Sequence, residues 1–85
     1  SEVPIVGKID GDIISSKIDK LIVKDNEVII VDYKTNRKTP QSLQDVPKLY
    51  ISQLKTYKKL GGAIYPNKEI NTYLLWTNTC NLMKV

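Results

Sequence analysis

The chain opens with two apolar runs rich in β-branched residues, Val3 to Ile9 and Asp12 to Val23, separated by Asp10-Gly11, a pair suited to a tight hairpin turn. They predict two antiparallel strands. Asp25-Asn26 forms a second turn signal before Val28 to Lys34, where Val28, Ile30 and Asp32 alternate with Ile29, Val31 and Tyr33. That run is apolar on both faces, which predicts a third, central strand. The stretch from Thr35 to Gln44 is polar and basic and reads as an exposed loop. From Asp45 the spacing changes: Val46, Tyr50, Leu54 and Tyr57 recur at three and four, Asp45 is placed to cap, Pro47 suits a first turn, and Gly61-Gly62 reads as the stop. After a turn at Pro66 to Lys68, Ile70 to Thr77 predicts a strand and Leu82 to Val85 a short final one. The order βββ-α-ββ, with no internal repeat, predicts an α+β domain built on one sheet.

Eighty-five residues allow one domain, since so short a chain buries only about 60 to 65% of its unfolded surface. The chain has no Phe, so Ile, Leu, Val and five Tyr must fill the interior, and Trp76 is expected in the core. No apolar run approaches the roughly 18 residues of a membrane span. A cytoplasmic location is the expectation, and the lone Cys80, read as a small buried apolar residue, agrees with a reducing compartment. Thirteen Lys and Arg against nine acids give +4, which assists phosphate binding without specifying it. A start at Ser1, leading directly into a strand, suggests a piece of a longer protein.

The chemistry lies in the hairpin joining the second and third strands. If its loop is Asp25 and Asn26, Val23 faces Val28, Leu21 faces Ile30, and Asp19 faces Asp32 on the same side. Two carboxylates so placed repel unless a positive charge sits between them. Oxygen donors, with no His in the chain, suit Mg²⁺, with Mn²⁺ as a substitute. Lys34 falls one pleat beyond Asp32 and can reach a bound water or phosphate. A three-residue loop would shift this register, and an ordinary hairpin with surface ion pairs would look similar.

The segments Gly7-Lys8-Ile9, Lys17 to Leu21, Ile30 to Asn36, and Gln53-Leu54 with Tyr57 closely resemble the RecB-like branch of the PD-(D/E)XK nucleases. Glu2-Val3-Pro4, Tyr65-Pro66 and Leu74-Leu75-Trp76-Thr77 resemble the C-terminal nuclease domain of AddA helicase-nucleases in particular. The resemblance implies a restriction-endonuclease-like fold with a mixed central sheet, and a Mg²⁺-dependent exonuclease module acting on DNA at double-strand breaks in recombinational repair. It assigns Asp19, Asp32 and the main-chain carbonyl of Tyr33 to the metal, Lys34 to catalysis, and Gln53 and Tyr57 to the Gln-X-X-X-Tyr motif. It also implies a helicase motor in the same parent chain, an AddB-like partner subunit and a nucleoid-associated location.

One departure stands out: the family usually carries another metal-site acid or His on a helix before the first strand, and this chain has no such helix. Asp10 and Asp12 read as turn residues. Lys17, Thr35, Asn36, Arg37 and Lys38 are the nearest candidates for touching DNA, with Lys20 beside them. No phosphate-binding glycine loop is present, so any ATP-driven motor must lie outside these residues. Two alternatives stay open: a catalytically inactive nuclease fold used for DNA binding or subunit docking, and a stand-alone restriction or resolvase-type endonuclease.

Overall fold

A computed structural model describes residues 2–85. Strands β1 (Val3–Ile9) and β2 (Asp12–Ile18) form an antiparallel hairpin, closed by Asp10 and Gly11 in left-handed conformations (φ 51° and 86°), the backbone that a two-residue turn of this kind requires. After a bend at Asp19 the chain continues as β3 (Lys20–Val23), which pairs antiparallel with β4 (Glu27–Lys34). A loop containing one 3₁₀ turn (Leu43–Asp45) leads to helix α1 (Lys48–Ile64). The chain returns as β5 (Glu69–Trp76), parallel to β4, and ends in β6 (Asn81–Lys84), antiparallel to β5.

The architecture is α+β with a mixed four-stranded sheet, ordered β3-β4-β5-β6, consistent with a restriction-endonuclease-like fold. The long second strand expected from the sequence is divided, and β1-β2 forms a separate two-stranded sheet. The bend at Asp19 lets that hairpin turn onto α1. Gly7 sits so close to the helix that a Cβ there would lie 3.2 Å from Leu60 Cδ2, and Ile5 and Ile18 are buried in the common core. On α1, Leu54, Tyr57 and Leu60 pack with Val28 and Ile30 of β4 and with Ile70, Leu74 and Trp76 of β5. Trp76 is fully buried, as expected, although its Nε1 has no hydrogen-bond partner among the described residues. The sheet face turned away from α1 is less covered: Tyr33 is 41% exposed, and Leu82 on edge strand β6 is 54% exposed. No helix among the described residues is long and apolar enough to cross a membrane.

Three local expectations are corrected. The helix starts at Lys48, because a proline at 47 keeps the preceding Val46 extended (ψ 132°) and cuts the 3₁₀ turn off from α1. Asp45 therefore caps no helix and accepts a hydrogen bond from Ser42 Oγ instead. Gly61-Gly62 does not stop the helix, which runs to Ile64 and ends ahead of Pro66. Gly61 instead marks a close approach to the sheet, where a Cβ would meet Ile70 Cγ2 at 3.0 Å and Ile30 Cδ1 at 3.4 Å. Cys80 is exposed in the β5–β6 turn, with a left-handed φ of 52°, and is no core residue.

The two adjacent glycines thus differ in kind. A side chain at Gly62 meets nothing within 4 Å, so Gly62→Ala is expected to stabilise by up to about 1 kcal/mol through helix propensity. Gly61→Leu should cost about 1 to 3 kcal/mol through overpacking. Denaturant titration of both variants checks this, and equal effects at the two positions would refute the close-approach reading.

Candidate active site

Alternation along β4 turns Val28, Ile30, Asp32 and Lys34 toward α1 and Tyr33 away from it. Apolar neighbours surround the first two, so Asp32 is the point where a core-facing row becomes charged, and it is only 6% exposed. Lys34 Nζ lies 2.9 Å from Asp32 Oδ2. It also donates to Gln53 Oε1 at 3.2 Å and stands 4.1 Å from the centroid of the Tyr50 ring. An amine held by a carboxylate, an amide oxygen and an aromatic face is confined to one position.

The Asp32–Lys34 contact is short, yet Oδ2 has no well-directed hydrogen bond. The two groups attract as charges, and the buried oxygen retains unmet acceptor capacity. Burial raises the Asp32 carboxyl above its ordinary value near 3.8; Lys34 opposes this shift, and neighbouring Asp19 adds to it.

Asp19 arrives by a route the sequence did not specify. The β3–β4 register is the expected one, with Val23 opposite Val28 and Leu21 opposite Ile30, but the ladder ends at Lys20–Val31. Asp19 and Asp32 are therefore not a strand pair. Asp19 sits in the bend between β2 and β3, and its Oδ2 accepts the Tyr33 backbone N–H at 2.8 Å, extending the join between the strands with a side chain. The Asp19 carboxylate still lies near enough for its charge and hydrogen bonding to act on Asp32.

Gln53 and Tyr57, four residues apart on one face of α1, are joined to each other and to Lys34. Gln53 Nε2 donates to Tyr57 Oη at 2.9 Å, and Tyr57 Oη donates to the Lys17 carbonyl at 3.2 Å. Burial, followed by the charge of Asp32, raises the Tyr57 phenol above its ordinary value, which keeps it a donor. Lys17 thus meets this network through its backbone, while its side chain is exposed. Glu2 lies near enough for its charge to act on Tyr57 as well.

Thr35, Arg37 and Lys38 are exposed on the loop after β4, as is Lys20 on β3; Asn36 is half-buried and accepts from Tyr50 Oη at 3.3 Å. Asn78 Nδ2 bridges the carbonyls of Thr35 and Asn36, at 3.2 and 3.0 Å, and the Thr77 hydroxyl and N–H both reach the Lys34 carbonyl. Tyr50 and Asn78 thus join the site, neither being expected there from the sequence. Tyr50 was legible in principle, lying three residues before Gln53 and seven before Tyr57 on the same helical face. Asn78 carried no such signal, because its role depends on the pairing of β4 with β5.

The described residues contain no group of three or more His, Cys, Asp or Glu that could hold a metal ion. The donors present are two neighbouring carboxylates, one bearing a buried oxygen with unmet acceptor capacity, together with the Tyr33 main-chain carbonyl between Asp32 and Lys34. Such a hard-oxygen set fits a cation that completes its shell with water. Compared with known families, residues 2–77 match the PD-(D/E)XK nuclease superfamily. No curated protein matches the chain significantly.

A carboxyl whose folded-state value exceeds its unfolded one favours folding while it is protonated. That contribution is present below the unfolded value, near 3.8, and is lost as the pH rises through the raised folded value. Asp32→Asn, which mimics the protonated group, should therefore melt above the wild type at about pH 7 in chelator, with the gap narrowing toward about pH 3.5. A lower melting temperature for Asp32→Asn at neutral pH would show that the Lys34 contact outweighs burial.

Proposed function

Because the chain belongs to the PD-(D/E)XK nuclease superfamily, we propose that it is a metal-dependent deoxyribonuclease module that hydrolyses phosphodiester bonds at the Asp19, Asp32 and Lys34 site. The observation that carries this reading is the placement of Lys34. Its ammonium is fixed 2.9 Å from a buried carboxylate, at the edge of the core, with a second carboxylate alongside.

In this reading Asp19, Asp32 and the Tyr33 carbonyl hold a divalent cation, Mg²⁺ by preference, which when bound lowers the pKa of water and neutralises phosphate charge. The Tyr33 N–H orients Asp19. Lys34 offers its proton-bearing nitrogen to the attacking water or to a phosphate oxygen, where a fixed positive charge stabilises the negative charge that develops. Gln53 keeps the ammonium in place, and Tyr57 secures Gln53 against the Lys17 carbonyl. Gln53 and Tyr57 are positioning residues here, since each acts through Lys34. Exposed Lys17, Arg37 and Lys38, with Thr35 and Asn36 on the same loop, supply contacts to the DNA backbone.

The resemblance of Glu2-Val3-Pro4, Tyr65-Pro66 and Leu74 to Thr77 to AddA-type enzymes supports a narrower role. That role is exonucleolytic end processing in double-strand break repair, with a helicase motor in the parent chain and an AddB-like partner. A second reading, a catalytically inactive nuclease fold that binds DNA, draws support from the described residues, which place no third acid or His with Asp19 and Asp32 in a metal-holding group.

Cleavage of labelled single-stranded DNA in Mg²⁺ decides between the two. Asp32→Ala and Lys34→Ala should each lose about 10²- to 10³-fold in rate. Gln53→Ala should lose about 10- to 100-fold, as expected for a group that orients another. Activity unchanged in both Asp32→Ala and Lys34→Ala would defeat the hydrolytic reading. DNA binding without cleavage that survives Asp19→Ala and Asp32→Ala would establish the second.

A further inference from the structure

Beside Lys34 lies a cavity of about 330 Å³ lined by Lys34, Leu49, Tyr50, Ser52, Gln53 and Thr56. The proposed hydrolysis uses only Lys34 and Gln53 of this set. The cavity has the size of a small-ligand site, at the lower end of a range of about 300 to 1,000 Å³.

Its lining combines an apolar wall with polar groups that are already committed. Leu49 is 76% exposed on the first turn of α1, a large apolar side chain with no part in the core. Tyr50 is half-buried, and its ring is held by Lys34, by the hydrogen bond to Asn36, and by tilted packing on Trp76 at 6.1 Å. Both ends of the Gln53 amide are occupied by Lys34 and Tyr57, and the Thr56 hydroxyl is taken by the Ser52 carbonyl. Ser52 sets an exposed hydroxyl at the rim, able to donate or accept. Along the adjoining ridge of the helix, Lys48, Lys55 and Lys59 recur at seven and four residues, with Ser52 between them, so an exposed cationic stripe borders the cavity.

We propose that this cavity is a nucleobase subsite: it takes the base of an unpaired nucleotide whose phosphate lies at Lys34, while the Lys48, Lys55 and Lys59 stripe follows the strand's next phosphates. The inference rests on the nuclease reading above and adds the place where one base of an unpaired strand is held. A polyanion suits the lysine stripe, and a planar, largely apolar group suits a wall of Leu49 and Tyr50. In a duplex the base is stacked and paired, and it would have to be extruded before it could enter. Because the rim offers a hydroxyl that both donates and accepts, the subsite should discriminate little among bases.

The test compares a fluorescent thymidine octamer with an abasic octamer of equal charge, by anisotropy in Mg²⁺, on the Asp32→Asn background so that the strands stay intact. The thymidine strand should bind roughly 5- to 100-fold more tightly, the effect of a base packed on an aromatic ring. Adding Leu49→Ala, at an exposed position, should lower that ratio measurably and leave abasic affinity unchanged. Equal affinity for the two octamers, a ratio that Leu49→Ala leaves intact, or no binding of either strand overturns the subsite. Hydrolysis of the thymidine octamer by the unsubstituted protein is measured in parallel. Hydrolysis without base preference would sink the subsite alone, and base preference without hydrolysis would sink the nuclease reading alone.

Discussion

The site depends on one unfavourable placement, a carboxylate at the end of a core-facing strand row where burial works against its charge. Asp32 follows Val28 and Ile30 on the α1 side of β4, so its neighbours on the strand offer no solvation. What opposes that burial is Lys34, one pleat further on and 2.9 Å away. The rest of the arrangement serves that ammonium. Gln53 and the Tyr50 ring hold it from α1, Tyr57 and the Lys17 carbonyl hold Gln53, and Thr77 holds the Lys34 carbonyl from the far side. A buried ion pair of this kind adds little to stability in itself, so stability alone gives no reason for placing Asp32 and Lys34 here.

For side chains on a helix to reach the end of a strand, α1 must lie close to the sheet, and the glycines show how the fold allows it. Gly61 removes the side chain at the contact with Ile30 and Ile70, and Gly7 does the same where the β1–β2 hairpin meets Leu60. The bend at Asp19 is the third device. By ending the β3–β4 ladder at Lys20–Val31, it turns the hairpin toward α1 and releases the Asp19 carboxylate toward the Tyr33 N–H. The same break that separates the two sheets thus carries the second acid to the first.

Much of this was legible in the sequence wherever a single short-range rule governed the outcome. The Asp10-Gly11 turn, the β3–β4 register and the burial of Trp76 follow from turn chemistry, two-residue periodicity and apolar content. Asp32 with Lys34, and Gln53 with Tyr57, are brought together by strand and helix repeats that the sequence displays directly. The misreadings came where tertiary contact decided. Gly61-Gly62 looked like a stop and is a packing surface, and Asp12 to Val23 looked like one strand because nothing local marks the bend at Asp19. The helix start moved from Asp45 to Lys48 because the constraint Pro47 places on Val46 outweighed the capping signal of Asp45. Asn78 could not be found at all, since its two hydrogen bonds cross from the β5–β6 turn to a loop more than forty residues earlier.

Charge balance ties the site to the rest of the surface. The centre sets two acidic groups, Asp19 and Asp32, against the single amine of Lys34, in a chain whose overall charge is +4. A phosphodiester is therefore drawn toward the molecule by its periphery and repelled at the centre, unless a cation has entered first. An anion-binding surface around an acidic pocket makes sense for a chemistry in which the cation completes the phosphate site. It makes little sense for a module whose only task is to bind nucleic acid, where the buried carboxylate would oppose the ligand and destabilise the fold at the same time. The burial that opposes the charge of Asp32 is thus the feature that an anion-binding surface alone does not account for.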